Sequence, residues 1–151
     1  MKPTLKPDAV GVFVLRGSGD ETRLLLLRRG GGVFARAWTP VMGGIEPGER
    51  ATQTARREVR EETGLEDLPL FTLGIVDTFY DPIHDRVIVV PFFVARTGEE
   101  RVRTDAAHDA HRWVTFDEAL QLLTFGSHRR ALPEIRAAFV DAEPEPWRAL
   151  D

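Results

Sequence analysis

The chain has 151 residues, of which 42% are hydrophobic, and it carries a formal net charge of -4 at pH 7. This length and composition suffice for one domain that buries its own core without disulfides or metal ions to hold it together. The absence of cysteine excludes disulfides and thiolate zinc sites, and it is consistent with a reducing compartment. Because there is no overall basic charge, a long nucleic acid is not expected as a partner.

The N-terminal segment MKPTLKPDAV lacks the apolar stretch of a secretion signal. No run approaches the ~20 apolar residues of a membrane helix, so we expect a cytoplasmic protein with no membrane partner. No repeat or interior linker divides the chain. We therefore expect a single domain over residues 1–151, with residues 1–7 and 142–151 as frayed tails.

Two apolar runs near the N-terminus predict two strands, at residues 9–15 (AVGVFVL) and 23–28 (RLLLLR), joined by the polar turn GSGDET. Their nearly continuous hydrophobicity predicts burial on both faces. Arg28 and Arg29 follow the second run and precede three glycines. An arginine at such a strand end either faces a phosphate or is solvated. We take Arg28 as a candidate substrate-binding residue.

Two aromatic residues, Phe34 and Trp38, follow the glycine run. In a loop beside a phosphate site they would stack on a base, a contact worth ~1–3 kcal/mol. The alternative is that they cap the core. Both are candidate substrate-binding residues.

Residues 43–65, GGIEPGERATQTARREVREETGL, are the most informative stretch. A helix is predicted over residues 50–63, because Pro47 and Gly48 turn the chain before it and Gly64 offers a C-terminal stop.

Three glutamates gather on one flank of this helix. Glu58 stands three residues before Glu61 and four before Glu62, so their like charges destabilise an isolated helix by a few tenths of a kcal/mol per pair. Oxygen ligands at this spacing suit Mg²⁺ or Mn²⁺, with open positions for water and substrate phosphates. The alternative is a solvated charged helix, in which Arg57 and Glu61 form an ordinary ion pair.

The arrangement from Gly43 to Leu65 resembles the signature box of the Nudix hydrolases and departs from it at none of the fixed positions. This resemblance implies a mixed sheet between helices, an α/β/α sandwich, and metal-dependent cleavage of substrates built as a nucleoside diphosphate linked to another group. It implies that the metal ligands are Glu58, Glu61, Glu62 and the carbonyl of Gly43, and that Arg57 and Glu49 form a structural ion pair. Because glycine has no side chain, the backbone at Gly44 can approach a phosphate or a metal ion closely, and we take Gly44 as a candidate substrate-binding residue.

Beyond the helix, residues 69–80 and 86–96 predict two strands of a hairpin. Pro91 in the second strand implies a bulge or an edge position, because proline removes one hydrogen-bond donor from the sheet. Tyr80, at the end of the first strand, is a candidate substrate contact, although a strand aromatic is more often a packing residue.

The C-terminal part predicts a short strand at residues 111–116 (HRWVTF) and a helix that starts with a capping box of Thr115 and Glu118. A second helix is predicted over residues 127–140. It tolerates Pro133 only if that residue lies early in the helix.

The general base is the uncertain part of the site. The resemblance implies a further glutamate ahead of the last strand, but Ala107 and His108 stand there. Asp105, Asp109 and Glu61 are therefore the candidate bases. His108 either contacts phosphate and transfers a proton, or is simply solvated.

The resemblance implies a small nucleotide-like substrate and is nearest to the branch with dATP and dihydroneopterin triphosphate pyrophosphohydrolases. We expect hydrolysis of a (deoxy)nucleoside or pterin triphosphate to monophosphate and pyrophosphate. Dinucleoside polyphosphates and nucleotide sugars are alternative substrates. A non-catalytic nucleotide-binding sensor is the alternative of another class, and the sequence leaves a homodimer open.

Overall fold

The structure, a computed structural model, describes residues 4–151, which form a nine-stranded mixed sheet with helices on both faces. The strands are β1 (Thr4–Lys6), β2 (Ala9–Arg16), β3 (Arg23–Arg29), β4 (Trp38–Thr39), β5 (Val41–Gly44), β6 (Leu70–Asp81), β7 (Arg86–Thr97), β8 (His108–Val114) and β9 (Ala149–Leu150). The helices are α1 (Ala51–Thr63), α2 (Phe116–Leu122) and α3 (Gly126–Ile135). None of the helices within residues 4–151 has the length and apolar character required to cross a membrane.

The long strand β7 lies at the centre of the sheet. Its first half pairs in parallel with β1, and its second half, from Phe92 onward, pairs in parallel with β2. Pro91 lies between these two partners, where it donates no hydrogen bond to either. On the other side β6 runs antiparallel, and its register shifts between Thr72 and Val76, opposite Pro91. Of the bulge or edge position predicted from Pro91, the structure shows a bulge, with its extra residues on β6 opposite Pro91.

Strand β2 connects β7 to the other half of the sheet. It pairs antiparallel with β5 along residues 9–12 and with β3 at residues 15–16. Strand β3 in turn pairs antiparallel with β4 and β8.

The two apolar strands near the N-terminus are buried on both faces, as predicted. Phe13 and Leu24 pack into a cluster beneath α2 and α3. Val12 and Leu25, which are neighbours of those residues in sequence, pack on the opposite face with Val59 of α1. Side chains alternate between the faces of a strand, so a continuous apolar run serves two cores. The predicted α/β/α sandwich is confirmed.

Local signals set the helix ends. The side chain of Gln53 accepts a hydrogen bond of 2.7 Å from the backbone N–H of Arg50, at the start of α1. Gly64 ends α1 in the left-handed region, with φ of 76°. Before α2, Thr115 and Glu118 form the predicted capping box, with each side chain accepting from the other residue's N–H at 3.0 to 3.1 Å.

The expectation that Pro133 lies early in its helix is wrong. The helix α3 starts at Gly126, so Pro133 is in its last turn, and a π-helical turn, Arg136–Val140, follows. Proline has no N–H for the turn before it, and a wider turn after it lets the chain continue without a break.

The expected frayed tails are also corrected. Within residues 1–7, residues 4–6 form β1, while residues 1–3 lie outside the described part of the chain. At the other end β9 pairs with β6, and the side chain of Arg148 is only 6% exposed. Arg148 donates to the carbonyl of Leu73 at 2.7 Å and to the Glu134 carboxylate at 3.0 Å. These contacts hold residues 146–150 against the sheet.

Candidate active site

Arg57 binds charged side chains both in the loop before α1 and in the C-terminal half of α1. Its guanidinium binds Glu49 through two hydrogen bonds, of 2.8 and 3.0 Å, and these lower the pKa of Glu49 to about 2. It also donates to Glu58 at 2.8 Å, to Glu61 at 3.1 Å and to the carbonyl of Gly44 at 2.9 Å. The loop after β5 is thereby fixed to the helix. The positive charge of Arg57 also offsets the repulsion between Glu58 and Glu61.

Glu62 is the glutamate that Arg57 does not reach. Glu62 is 3% exposed, and its Oε1 has no hydrogen-bond partner among the described residues. Burial raises the pKa of Glu62, and the neighbouring carboxylates of Glu58 and Asp105 raise it further. A buried carboxylate of this kind is ionised only if a cation accompanies it.

The residues around Glu62 fit a divalent metal ion. Gly43 lies directly under the Glu58 side chain, and a Cβ at this position would overlap the Glu58 carboxylate. The carbonyl and carboxylate oxygens here are hard ligands of the type that Mg²⁺ and Mn²⁺ prefer. Within residues 4–151, no three His, Asp or Glu side chains already converge as a complete metal site. Arg57 holds Glu58 and Glu61, so a metal ion would have to compete with its guanidinium for them.

These groups open into a space that we call the carboxylate cavity, of about 430 Å³. Its lining comprises Ala9, Arg29, Met42, Gly43, Gly44, Glu58, Glu62, Asp105, Ala107 and His108. Asp105 binds the Nδ1 of His108 at 2.7 Å, and the Nε2 of His108 lies 3.5 Å from Glu62 Oε1. The buried His108 therefore connects a partly exposed carboxylate to the buried glutamate.

The other candidate base, Asp109, lies apart from this cavity. The pairing of β8 with β3 shifts at this point, because Arg28 lies opposite Ala110 and Arg29 opposite His108. Asp109, which has no partner in this ladder, pairs with Arg28 through its side chain at 2.7 Å. The Arg28 guanidinium lowers the pKa of Asp109 and also lies 5.7 Å from the centre of the Trp38 ring. Trp38 packs against the core cluster beneath α2 and α3. Arg28, Trp38 and Asp109 thus form a group of their own.

A second space, the aromatic cavity, has a volume of about 420 Å³. Its lining comprises Arg29, Phe34, Thr39, Met42, Asp77, Thr78, Phe79, Phe125, Gly126, Ser127, His128 and Arg130. Arg29 and Met42 belong to both linings, so the two cavities adjoin. Phe34 is 54% exposed and meets Phe125 edge to face, with ring centres 5.2 Å apart.

Tyr80 lies outside both linings. Its hydroxyl donates to Asp85 at 2.9 Å at the exposed end of the β6–β7 hairpin. Of the residues expected to bind substrate, the structure gathers Gly44 and His108 at the carboxylate cavity and Phe34 at the aromatic cavity, and it leaves Arg28, Trp38 and Tyr80 outside.

Arg29 is the lining residue that sequence reasoning passed over in favour of Arg28. Its Nε is buried and has no hydrogen-bond partner among the described residues. Leu25 and Leu27 pack on the α1 side of the sheet, and a strand period of two places Arg29 on that side as well. The strand period in the sequence therefore predicts that Arg29 lies on the α1 side of the sheet. The remaining aromatic lining, including Phe125 and His128, comes from elements with no motif to connect them.

Comparisons with known proteins identify the family of this chain. Residues 5–135 match the model of the NUDIX domain family. The chain is 34% identical over 120 residues to the asymmetrical bis(5'-nucleosyl)-tetraphosphatase of Rattus norvegicus, covering 76% of this chain and 80% of that protein. Among solved structures, a candidate NUDIX hydrolase of Listeria monocytogenes is 25% identical with a TM-score of 0.76, covering 89% and 94% of the two chains. The E. coli dihydroneopterin triphosphate pyrophosphohydrolase has a TM-score of 0.73 at 23% identity, covering 88% and 97%.

Proposed function

From the premise that this chain belongs to the Nudix hydrolase family, as the match over residues 5–135 shows, we propose that it hydrolyses a pyrophosphate bond in a nucleotide-like substrate with the help of a divalent metal ion. The observation that carries this proposal is the adjacency of the two cavities. One is lined by carboxylates beside two glycines, the other by aromatic rings, and Arg29 lies between them. Phosphates fit the first cavity and a ring system fits the second.

The metal site in this proposal consists of Glu58, Glu61, Glu62 and the carbonyl of Gly43. A bound Mg²⁺ or Mn²⁺ supplies charge neutralisation at the phosphoryl oxygens and a stronger water nucleophile. The buried, unpartnered Oε1 of Glu62 supports this assignment, because an ionised carboxylate in that place requires a positive partner.

The protein's own groups orient the substrate and accept the proton. Arg29, with an unpartnered guanidinium nitrogen, binds phosphate oxygens where the cavities meet. Arg57 and Glu49 keep the loop before α1 in place. Asp105 is the favoured base, because it lies at the carboxylate cavity and contacts His108, which relays or orients the proton.

The choice of base is tested by Asp105→Asn and Asp109→Asn, made separately. We expect Asp105→Asn to lower kcat by about 100-fold and to change the acid limb of the pH–rate profile. Asp109→Asn, which removes the partner of Arg28, is the matched control and should retain kcat within about threefold. If both variants keep the pH–rate profile of the wild type, the base lies within α1, at Glu61.

For the substrate, we propose a (deoxy)nucleoside or pterin triphosphate, cleaved to a monophosphate and pyrophosphate. The aromatic cavity supports this choice, because its volume of about 420 Å³ accommodates a fused ring system. A dinucleoside tetraphosphate is the second candidate, and the 34% identity to the rat tetraphosphatase favours it.

The deciding experiment is product release from a panel of nucleoside triphosphates, dihydroneopterin triphosphate, dinucleoside tetraphosphates and nucleotide sugars, with Mg²⁺ and with Mn²⁺. Turnover that stops on adding a chelator supports the proposed hydrolase and ranks its substrates. No turnover across the panel, with nucleotides still raising the melting temperature, would instead favour a nucleotide-binding sensor.

A further inference from the structure

The aromatic cavity contains a buried polar group for which the hydrolytic chemistry has no use. His128, in the first turn of α3, is 3% exposed, and its Nδ1 has no hydrogen-bond partner among the described residues. Three phenylalanine rings surround the imidazole, with centres at 5.6 Å for Phe125, 5.8 Å for Phe92 and 6.3 Å for Phe13. An unpaired buried polar atom is costly, so its position at a cavity wall suggests that a ligand completes its hydrogen bonding.

The same wall carries a carboxylate. Asp77, on β6, lines the aromatic cavity with His128 and makes no ion pair within 4.0 Å in residues 4–151. Burial holds the pKa of His128 near 4, so the imidazole is neutral at pH 7 and has one N–H donor. Asp77 offers acceptors only. Asp77 therefore presents a pair of acceptor oxygens and His128 one N–H donor, and the lining also carries the polar side chains of Arg29, Thr39, Thr78, Ser127 and Arg130.

The rest of the lining suits a flat ring. Phe34, Phe79 and Phe125 supply aromatic surface, and the volume of about 420 Å³ accommodates a fused bicyclic system. The residues of the first turn of α3, Gly126, Ser127 and His128, also line the cavity. The first N–H groups of a helix have no carbonyl partner within it, so they favour an acceptor on the ligand.

We infer that the aromatic cavity binds a fused heteroaromatic ring with two adjacent N–H donors next to a carbonyl, as in guanine and 2-amino-4-oxopteridines, and that Asp77 and His128 determine this specificity. This inference rests on the proposed function for the rest of the substrate. Asp77 accepts from the ring N–H and the exocyclic amine, and His128 donates to the ring carbonyl. Adenine places a ring acceptor opposite the Asp77 carboxylate, while cytosine and uracil each offer it one donor only.

Binding of nucleoside monophosphates tests the ring site without turnover. In calorimetric titrations of GMP, AMP and CMP into the full chain in the presence of a chelator, we expect the Kd of GMP to be at least about tenfold lower than those of AMP and CMP. Asp77→Asn should raise the Kd of GMP by about 10- to 100-fold and leave that of AMP nearly unchanged. Asp20→Asn, the same change at an exposed position, is the matched control and should leave all three Kd values unchanged.

A second variant isolates the imidazole. His128→Phe keeps a ring of similar size among Phe13, Phe92 and Phe125 but removes the N–H donor, and it should weaken GMP binding by about tenfold. If this variant does not fold, Asp77→Asn still decides the inference. Equal Kd values for GMP and AMP in the wild type, or a GMP affinity that Asp77→Asn leaves unchanged, would overturn it.

The substrate panel separates this inference from the proposed hydrolysis. Hydrolysis with equal kcat/KM for GTP, ATP and CTP would uphold the hydrolase and overturn the ring specificity. Selective GMP binding without hydrolysis of any substrate would uphold the ring specificity and overturn the hydrolase. Higher kcat/KM for GTP or dihydroneopterin triphosphate, lowered selectively by Asp77→Asn, supports both.

Discussion

The two adjoining cavities differ in how the sequence encodes them. The carboxylate cavity takes four of its lining residues, Gly43, Gly44, Glu58 and Glu62, from one stretch of twenty residues, and Arg57 ties that stretch together. The aromatic cavity is assembled from four separate segments, around Phe34, Met42, Asp77 and Phe125. Most of the charged residues for the chemistry come from one short stretch of sequence. The residues that would select a ring come from distant elements that the fold brings together.

The largest expected effect concerns the local stretch. Glu62→Gln removes one buried carboxylate charge and preserves the shape of the side chain. We expect kcat to fall by about 1000-fold or more, because the metal loses a ligand. The melting temperature should stay equal or rise, because burial opposes the charge of Glu62. Steady-state kinetics and thermal denaturation measure both, and activity within about threefold of wild type would contradict the assigned role.

Gly43→Ala breaks the same stretch by sterics instead of charge. The new Cβ would overlap the Glu58 carboxylate, so we expect kcat to fall by about 100-fold and the free energy of unfolding to fall by about 1–3 kcal/mol. At Gly44 a Cβ would meet nothing closer than the carbonyl of Asp8 at 3.6 Å, which is ordinary contact. Gly44→Ala is therefore the matched control for stability, measured by urea denaturation. A similar loss in both variants would remove the steric argument.

The buried His128 at the aromatic cavity should make the free energy of unfolding depend on pH in the acid range. Burial lowers the pKa of His128 from 6.5 to about 4, so below pH 6.5 the unfolded chain takes up a proton that the folded chain does not. The free energy of unfolding therefore falls as the pH drops from about 6.5 to 4, by about 3 kcal/mol from this residue.

His128→Phe cannot titrate and should flatten the pH dependence of stability in that window. Urea denaturation at pH 7, 5.5 and 4.5 provides the comparison. An unchanged slope in His128→Phe would show that other groups cause the loss in acid.

The smallest effect is expected at the mouth of the aromatic cavity. Phe34→Ala removes one stacking surface from a side chain that is already 54% exposed. We expect KM to rise about fivefold to tenfold, with kcat and stability unchanged. Val33→Ala, at the adjacent position with 93% exposure, is the control. A fall in kcat without a change in KM would contradict the binding role of Phe34.

The features that can be predicted from the sequence are those that depend on neighbouring residues. The helix α1, its stop at Gly64, the two-faced strands and the capping box of Thr115 were all predictable, because each depends on residues that are close together in the chain. The strand period of Leu25 and Leu27, extended by two residues, predicts the side of the sheet on which Arg29 lies. The aromatic lining has no local pattern, since Asp77 and His128 lie 51 residues apart in sequence.

The C-terminal segment shows the same limit. A sequence such as EPEPWRALD has the composition of a frayed end, and nothing in it marks Arg148 as buried. Its partners, Leu73 and Glu134, are contributed by β6 and α3. Arg56 of α1 donates to the carbonyls of Leu68 and Leu150. A cation that pairs with distant backbone oxygens leaves no periodic signal.

The position of β7 between β1 and β2 has a consequence for biosynthesis. Since β2 pairs in parallel with residues 92–97, its main partner leaves the ribosome some eighty residues after it does. Until then the apolar run AVGVFVL has only antiparallel strand neighbours, with α1 available to cover one face. The helices α2 and α3, which cover the other face, are synthesised later still. Contacts this distant close slowly and leave apolar strands exposed to self-association. Because of the order in which the sheet is completed, we expect the nascent N-terminal half to be the part of this chain most prone to self-association.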